Sequence, residues 1–495
     1  MFTELLQIEI LVPWFLAMLL GIFVGATPGL TATMAVALIV PISYHMSSTA
    51  GLAMIIGVSF TAIFAGDIPA TWLRIPGTPA SAAATLDGFQ LAKQGRGNFA
   101  LYIDLLCSSI GGIIGVGTLI IIAPQLARFA LKFGDYEYFW LGIFGLSMSA
   151  MVTMGQTSKA LLSATLGVFI STIGQDVVSN AQRFTFGSID AMGGLNFIPV
   201  MIGLFGVAEV LRNVVQSDKM GEAPGNIDSS SFSSAVPVVW KHKWNVLRSA
   251  LMGTLIGALP GAGADVAAWG AYGVAKSSSK LPEKFGSGTI EGVIAPTSAN
   301  NAAVAGAWIP ALVFGIPGDA VTAIVLGVLL VHGIKPGPFL FENGGEQVRS
   351  IFAIALITQV LLIPCGFAGI KAFGLIQMLP KRIVLAGVLV FSTVGAFAIN
   401  NSMFDVYVML SFGLIGFFME ACRVPVVPMI LGLILGPLVE EKLRAGLIAS
   451  EGSWIPFFSR PISLTLVVLL VLAFVSKPML RLARSLKKRD DSADT

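Results

Sequence analysis

The chain has 495 residues, 55% of them hydrophobic and only 12% charged, with a net charge of +3 at neutral pH and a mean hydropathy of +0.85. Soluble domains carry about 25% charged residues, so this composition cannot cover a water-facing surface and lipid must be the solvent. The small basic excess is spread through loops and leaves no footprint for nucleic acid.

Inside hydrocarbon the backbone must satisfy its own hydrogen bonds, which leaves helices or a closed barrel. Nearly charge-free runs at 105–127, 351–370, 383–398 and 462–476 are continuous rather than alternating, which favours helices. The expected fold is all-α and polytopic, with roughly 11–14 membrane segments, some of them discontinuous helices or re-entrant hairpins. Glu4 and Glu9 stand where a signal peptide would be basic, so the first helix is expected to stay in the mature chain.

In chain order, the first apolar run meets Gly25-Ala26-Thr27-Pro28-Gly29-Leu30-Thr31. Pro28 removes a backbone donor and Gly29 tolerates positive φ, so one helix ends there and another begins. The new helix offers free N–H groups and a positive dipole end, a ready anion site. Thr27, Thr31 and Thr33 add hydroxyls without charge.

Asp67 precedes Ile68-Pro69-Ala70, and a second break follows at Ile75-Pro76-Gly77-Thr78-Pro79-Ala80-Ser81. Prolines and small residues there suit a re-entrant hairpin, tolerated at membrane depth only against protein or a wet cavity. Thr78 and Ser81 would face the substrate or ion. Lys93-Gln94-Gly95-Arg96 reads as a cytoplasmic basic loop, and Asp104, Glu209 and Glu420 as residues near helix ends.

The same sentence then returns about 230–240 positions later. Gly257-Ala258-Leu259-Pro260-Gly261-Ala262-Gly263-Ala264-Asp265 answers the first break, and Ile309-Pro310-Ala311 with Ile316-Pro317-Gly318-Asp319 the second, ahead of Thr322. Pro199, Gly203, Gly206 and Glu209 are echoed by Pro428, Gly432, Gly436 and Glu440. One Pro-Gly kink reads as packing; two in register point to function. A duplicated, Pro-Gly-interrupted apolar chain is the sequence form of a secondary transporter, with its site between the repeats.

The expected division is a first repeat over 1–216, a polar linker and surface segment over 217–247, a second repeat over 248–450, and a final helix with a basic tail over 451–495. Opposite orientation of the halves is favoured because it supports alternating access. Lys477, Arg481, Arg484, Lys487, Lys488 and Arg489 place the C-terminus on the cytoplasmic side by the positive-inside tendency.

Within the second half, Asn300 and Asn301 offer carbonyl oxygens to a cation and N–H donors to a carboxylate. A helix cap explains one asparagine cheaply, not both. Asp67, Asp265 and Asp319 lie in apolar surroundings, where a charge is costly unless paired or functional, so they are the coupling-ion candidates. Thr27, Pro28, Gly29, Thr31, Thr78, Ser81, Pro260, Gly261, Gly263, Asn300, Asn301, Gly318 and Thr322 are the substrate-binding candidates. Glu291 reads as a coupling carboxylate or an interfacial residue.

No nucleophile–base pair, resident metal set or Walker A pattern occurs, so neither an enzyme nor a cofactor is expected. Cys107, Cys365 and Cys422 read as small buried side chains, and His45 and His332 have no acid–base constellation.

At these motifs the chain resembles the large membrane subunit of the tripartite tricarboxylate transporter family. The stretches that carry the likeness are Gly25 to Leu30, Leu86-Asp87-Gly88, Lys93-Gln94-Gly95-Arg96, Leu259 to Ala264, Glu291-Gly292-Val293-Ile294-Ala295-Pro296, Asn300-Asn301-Ala302, Gly315-Ile316-Pro317-Gly318 and His332-Gly333-Ile334-Lys335-Pro336-Gly337-Pro338. Two departures stand out: Thr297-Ser298 where the family pattern has an acid, and Asp265 where it is neutral. The resemblance implies a small organic di- or tricarboxylate such as citrate, delivered by a periplasmic binding protein. It also implies a second, smaller membrane subunit, and uptake driven by Na⁺ or H⁺ across a bacterial inner membrane. A homodimer is left open. An anion channel or a carboxylate exporter of the same architecture is the alternative reading.

Overall fold

Apolar segments in lipid find no water for their peptide groups, and this chain satisfies them almost wholly with helices. The structure, a computed structural model, describes residues 5–152, 157–176, 179–215, 231–378 and 381–474. Residues 217–230 of the expected linker and all of the basic tail from Lys477 onward lie outside the described residues.

The first half runs α1 (Ile8–Ala26), α2 (Ala32–Ser43), α3 (Ser48–Ala65), α4 (Asp67–Leu73), α5 (Thr85–Lys93), α6 (Gly97–Ala130), α7 (Asp135–Val152), α8 (Thr157–Ser171) and α9 (Phe197–Val215), the last with a π segment over Ile202–Val207. Between α8 and α9, β1 (Gly174–Gln175) pairs antiparallel with β2 (Gln182–Arg183), the sole strand pair among the described residues. The second half runs α10 (Ala235–Lys241), α11 (Lys243–Gly257), α12 (Gly263–Ser278), α13 (Glu291–Phe314), α14 (Ala320–Val331), α15 (Pro338–Asn343), α16 (Gly345–Met378), α17 (Lys381–Asn400), α18 (Met403–Ala421) and α19 (Val427–Ala449). Short α20 (Ile455–Ser459) and α21 (Pro461–Phe474) close the described chain.

Among the described residues, seven helices are long and apolar enough to cross a membrane: α1, α3 joined to α4, α6, α9, α16, α17 and α18. Shorter apolar helices are α2, α8, α14 and α21. The protein is therefore a polytopic helical membrane protein. Helix α13, 24 residues long, falls outside the seven because its paired asparagines and small residues dilute its hydropathy. Yet every residue from Gly292 to Val313 is buried.

Buried polar helices sit at the centre and greasy ones at the rim. Large apolar side chains such as Val390, Phe391 and Val394 on α17 and Tyr407, Leu414 and Phe418 on α18 face outward, as lipid contact requires. The centre is packed through small residues. Cβ atoms at Gly21 and Gly25 of α1 would strike the carbonyls of Val58 and Ala62 on α3. Gly253 and Gly257 of α11 stand the same way against Ala299 and Ala303 of α13. Four-residue glycine spacing lets two backbones approach closely.

Packing also crosses between the halves. Helix α6 lies on α13 while α16 lies on α3, and α8 lies on α19 while α18 lies on α9.

Candidate functional site

Four interruptions of helical backbone are held in two pairs. Gly29, after Pro28, takes φ +86° between α1 and α2, and Gly261, after buried Pro260, takes φ +82° between α11 and α12. Only glycine adopts that left-handed region freely. Helix α4 ends at Arg74 with φ +59°, and α13 ends at Gly315 with φ +69°. The two halves thus share a backbone turn even where their side chains differ.

Gly77 brings the first pair together. Its N–H donates to the Gly66 carbonyl at 3.0 Å, and a Cβ there would run into the carbonyl of Gly25. Gly318 stands likewise against the Gly257 carbonyl, while its own carbonyl accepts from Gly261 N at 2.7 Å. Gly263, with φ +60°, lies against Asp319.

The hydroxyls at these breaks are partly committed to local caps. Thr27 Oγ1 donates to the Phe23 carbonyl at 2.7 Å, and Thr31 caps α2 by accepting from Met34 N at 3.2 Å. Asn213 of α9 donates to the Gly29 carbonyl at 2.7 Å. Thr78 and Ser81 are buried with their hydroxyls 2.8 Å apart. Asp319 caps α14, accepting from Thr322 N at 2.8 Å, while Asp319 N donates to Thr322 Oγ1 at 2.9 Å. Asp265, in the first turn of α12, is exposed.

A second cluster joins the halves. Asn300 and Asn301 are fully buried in the middle of α13 rather than at its start. Asn300 Nδ2 donates to Asp67 Oδ2 at 3.2 Å. Asp67 also lies within hydrogen-bond reach of Ser81 and of Asp104. Ser108 Oγ donates to Asp104 Oδ1 at 3.0 Å, and Asn301 Nδ2 donates to the Ser108 carbonyl at 3.3 Å.

Sequence reasoning put Asp104 near a helix end and gave it no role; it lies within the first part of α6, 2% exposed, against fully buried Asp67. Burying a carboxylate at the bilayer centre costs about 2.5–3.5 kcal/mol on insertion scales, so two together are not incidental. The signal that could have found it is the Asp104–Ser108 spacing, which puts both side chains on one helix face.

Other groups have structural employment. Asp87, part of the Leu86-Asp87-Gly88 motif, accepts from Gly286 N at 2.9 Å and from Gly288 N and Thr289 N at 2.8 Å. It also accepts from Tyr272 Oη at 2.9 Å, pinning the α12–α13 loop. Glu291, half-buried, lies in the first turn of α13. Cys107 and Cys365 are buried as expected, whereas Cys422 is exposed at the end of α18.

A cavity of about 500 Å³ opens elsewhere, between the β1–β2 ribbon, α14 and α19. Arg444 on its wall is paired with Asp176 and Glu440, and so is Arg183, which shares both carboxylates without lining the cavity. Neither arginine is left over for an anion, so the breaks and the Asp67 cluster remain the better candidate site.

Comparison with known proteins gives the family. A family described as the tripartite tricarboxylate transporter TctA family matches residues 11–431. The chain is 35% identical over 460 residues to an uncharacterised 52.8 kDa protein from the TAR-I ttuC′ 3′ region of Agrobacterium vitis, covering 92% of this chain and 90% of that one. It is also 37% identical over 215 residues to an uncharacterised protein from the TAR-II ttuC′ 3′ region of Agrobacterium vitis, covering 43% of this chain and 89% of that one. No solved structure matches.

Proposed function

This chain belongs to the tripartite tricarboxylate transporter TctA family, a family of transporters, and from that premise we propose that it is the large membrane subunit of an ion-driven importer of a small di- or tricarboxylate. A periplasmic binding protein delivers the substrate, and a smaller membrane subunit accompanies this chain in the bacterial inner membrane, with the C-terminus cytoplasmic.

The observation that carries the reading is the matched packing of Gly77 on Gly25 and Gly318 on Gly257. Both halves build the same helix interruption from the same contact, which supports two internal repeats related by a two-fold axis. The exchange of partners between α6–α13 and α16–α3 supports it as well. With opposite membrane orientation, such repeats exchange conformations to give alternating access around a fixed site.

In this mechanism the substrate carboxylates take the Gly29 N–H and the hydroxyls of Thr27 and Thr31 at the turn that Pro28 opens, with Thr78 and Ser81 from the first re-entrant segment. The second-half segment, through Pro260, Gly261, Gly263, Gly318 and Thr322, closes on the other end of the anion, and Asn300 and Asn301 line the space between. Asp67, Asp265 and Asp319 lie beside these groups and repel an anion while they are bare. A cation bound first removes that repulsion, which is how an ion gradient is harnessed. The break-bearing core then moves against a scaffold in an elevator-like step.

Uptake of labelled di- and tricarboxylates into proteoliposomes tests the reading, with and without a Na⁺ or H⁺ gradient, the small subunit and the binding protein. Gradient-dependent accumulation is expected. Flux that only equilibrates, whatever the gradient, would mark a channel and reject it.

A further inference from the structure

Most of the buried or half-buried acids described here have a visible compensation. Glu209 pairs with Arg212, Asp176 with Arg183 and Arg444, and Glu137 with Arg460. Asp87 accepts three backbone N–H groups and a tyrosine hydroxyl. Asp405 accepts from Asn400 at 2.8 Å at the start of α18. The Asp67–Asp104 pair differs. Neither makes an ion pair with a basic side chain among the described residues, and their donors are one amide and two hydroxyls.

The cluster is also short of donors in a specific way. Asp67 Oδ1, Asp104 Oδ2, Asn300 Oδ1 and Asn301 Oδ1 are all buried, and none accepts a hydrogen bond. Each amide spends its N–H₂ on this network, Asn300 on Asp67 and Asn301 on the Ser108 carbonyl. Their oxygens are therefore left bare in the same neighbourhood. Buried acceptors without donors are costly, and one bare oxygen on each carboxylate together with two bare amide oxygens call for positive charge.

The donor chemistry narrows the choice. Carboxylate and amide oxygens are hard ligands. Among the described residues no group of three or more His, Cys, Asp and Glu could hold a metal ion, which argues against a tightly held transition metal. A released, transported ion suits two carboxylates supplemented by neutral amides.

We propose that Asp67 and Asp104, with the side-chain oxygens of Asn300 and Asn301, form a sodium site that joins α4, α6 and α13. This deepens the importer reading and rests on it for the ion's role as driving force. The site spans both halves: Asp67 and Asp104 come from the first and the asparagines from the second. Ser81 touches Asp67 and lies 2.8 Å from Thr78, so the ion sits beside the second helix break and couples it to α13. Asp104 is thereby an ion ligand, and Ser108 a positioning residue that orients it.

The test is equilibrium binding of radioactive sodium to the purified full chain in detergent, alongside thermal unfolding in NaCl, KCl, choline chloride, MgCl₂ and CaCl₂. Saturable sodium binding and stabilisation by sodium above the other salts are expected. Asp104→Asn and Asn301→Ala should each weaken sodium affinity by at least about tenfold, while Asp405→Asn leaves it unchanged. If Asp104→Asn does not fold, Asn301→Ala alone decides, since it removes only a neutral side chain. Unaltered sodium affinity in a folded variant overturns the site, as does equal stabilisation by every salt. Carboxylate uptake driven by protons, with no sodium bound, rejects the sodium site and leaves the importer standing. Bound sodium without any carboxylate uptake does the reverse.

Discussion

Asn300 donates to the Asp67 carboxylate at 3.2 Å, across 233 positions of sequence. The bond ties a buried helix of the second half to the helix start that follows Gly66 in the first. Movement of either break must stretch or carry this link.

Asn301 makes the neighbouring contact, to the Ser108 carbonyl at 3.3 Å. Removing one neutral hydrogen bond costs about 1 kcal/mol, so Asn301→Ala should insert and fold normally. Carboxylate uptake in proteoliposomes should nonetheless be abolished. Unimpaired transport by a correctly inserted variant would remove Asn301 from the site.

Gly77→Ala and Gly318→Ala each push a methyl group into a facing carbonyl, of Gly25 and of Gly257. Overpacking of this kind costs about 1–3 kcal/mol. Both variants should lower the melting temperature and uptake together. Gly117→Ala on α6, where a Cβ meets open space, should match the parent protein in both measurements.

Asp87 predicts a local effect. Asp87→Ala strands the N–H groups of Gly286, Gly288 and Thr289, and each charge-assisted bond is worth about 1.5–3 kcal/mol. The loop should open before the bundle unfolds. Limited trypsin digestion reads this as faster cleavage after Lys280 or Lys284, and an unchanged cleavage rate would show that the pin is dispensable.

Asp176 holds Arg444 at 2.9 Å and pairs with Arg183 as well, beside Glu440. The arginines are partly solvated, so the full price of breaking a buried pair does not apply. Asp176→Asn should destabilise by about 1–2 kcal/mol, and less at high salt. A double-mutant cycle with Arg444→Met should give a coupling energy near 1 kcal/mol; a coupling of zero would make the network ornamental.

Composition determined that this is a membrane protein, and continuous rather than alternating apolar runs that it is helical, because lipid leaves the backbone only helices or a closed barrel. The breaks were legible too, since proline and glycine act through their own dihedral angles: Pro28-Gly29 and Pro260-Gly261 mark the turns that the structure contains. Asp67 stood out as an acid in an apolar run. Its partnership with Asp104 did not, because which helix faces which is fixed by close packing and not by local propensity. The same holds for Asp87, whose N–H donors lie about 200 positions away and come within reach only once α13 is wedged among its neighbours. Sequence named the interruptions; the tertiary structure decided which oxygens meet between them.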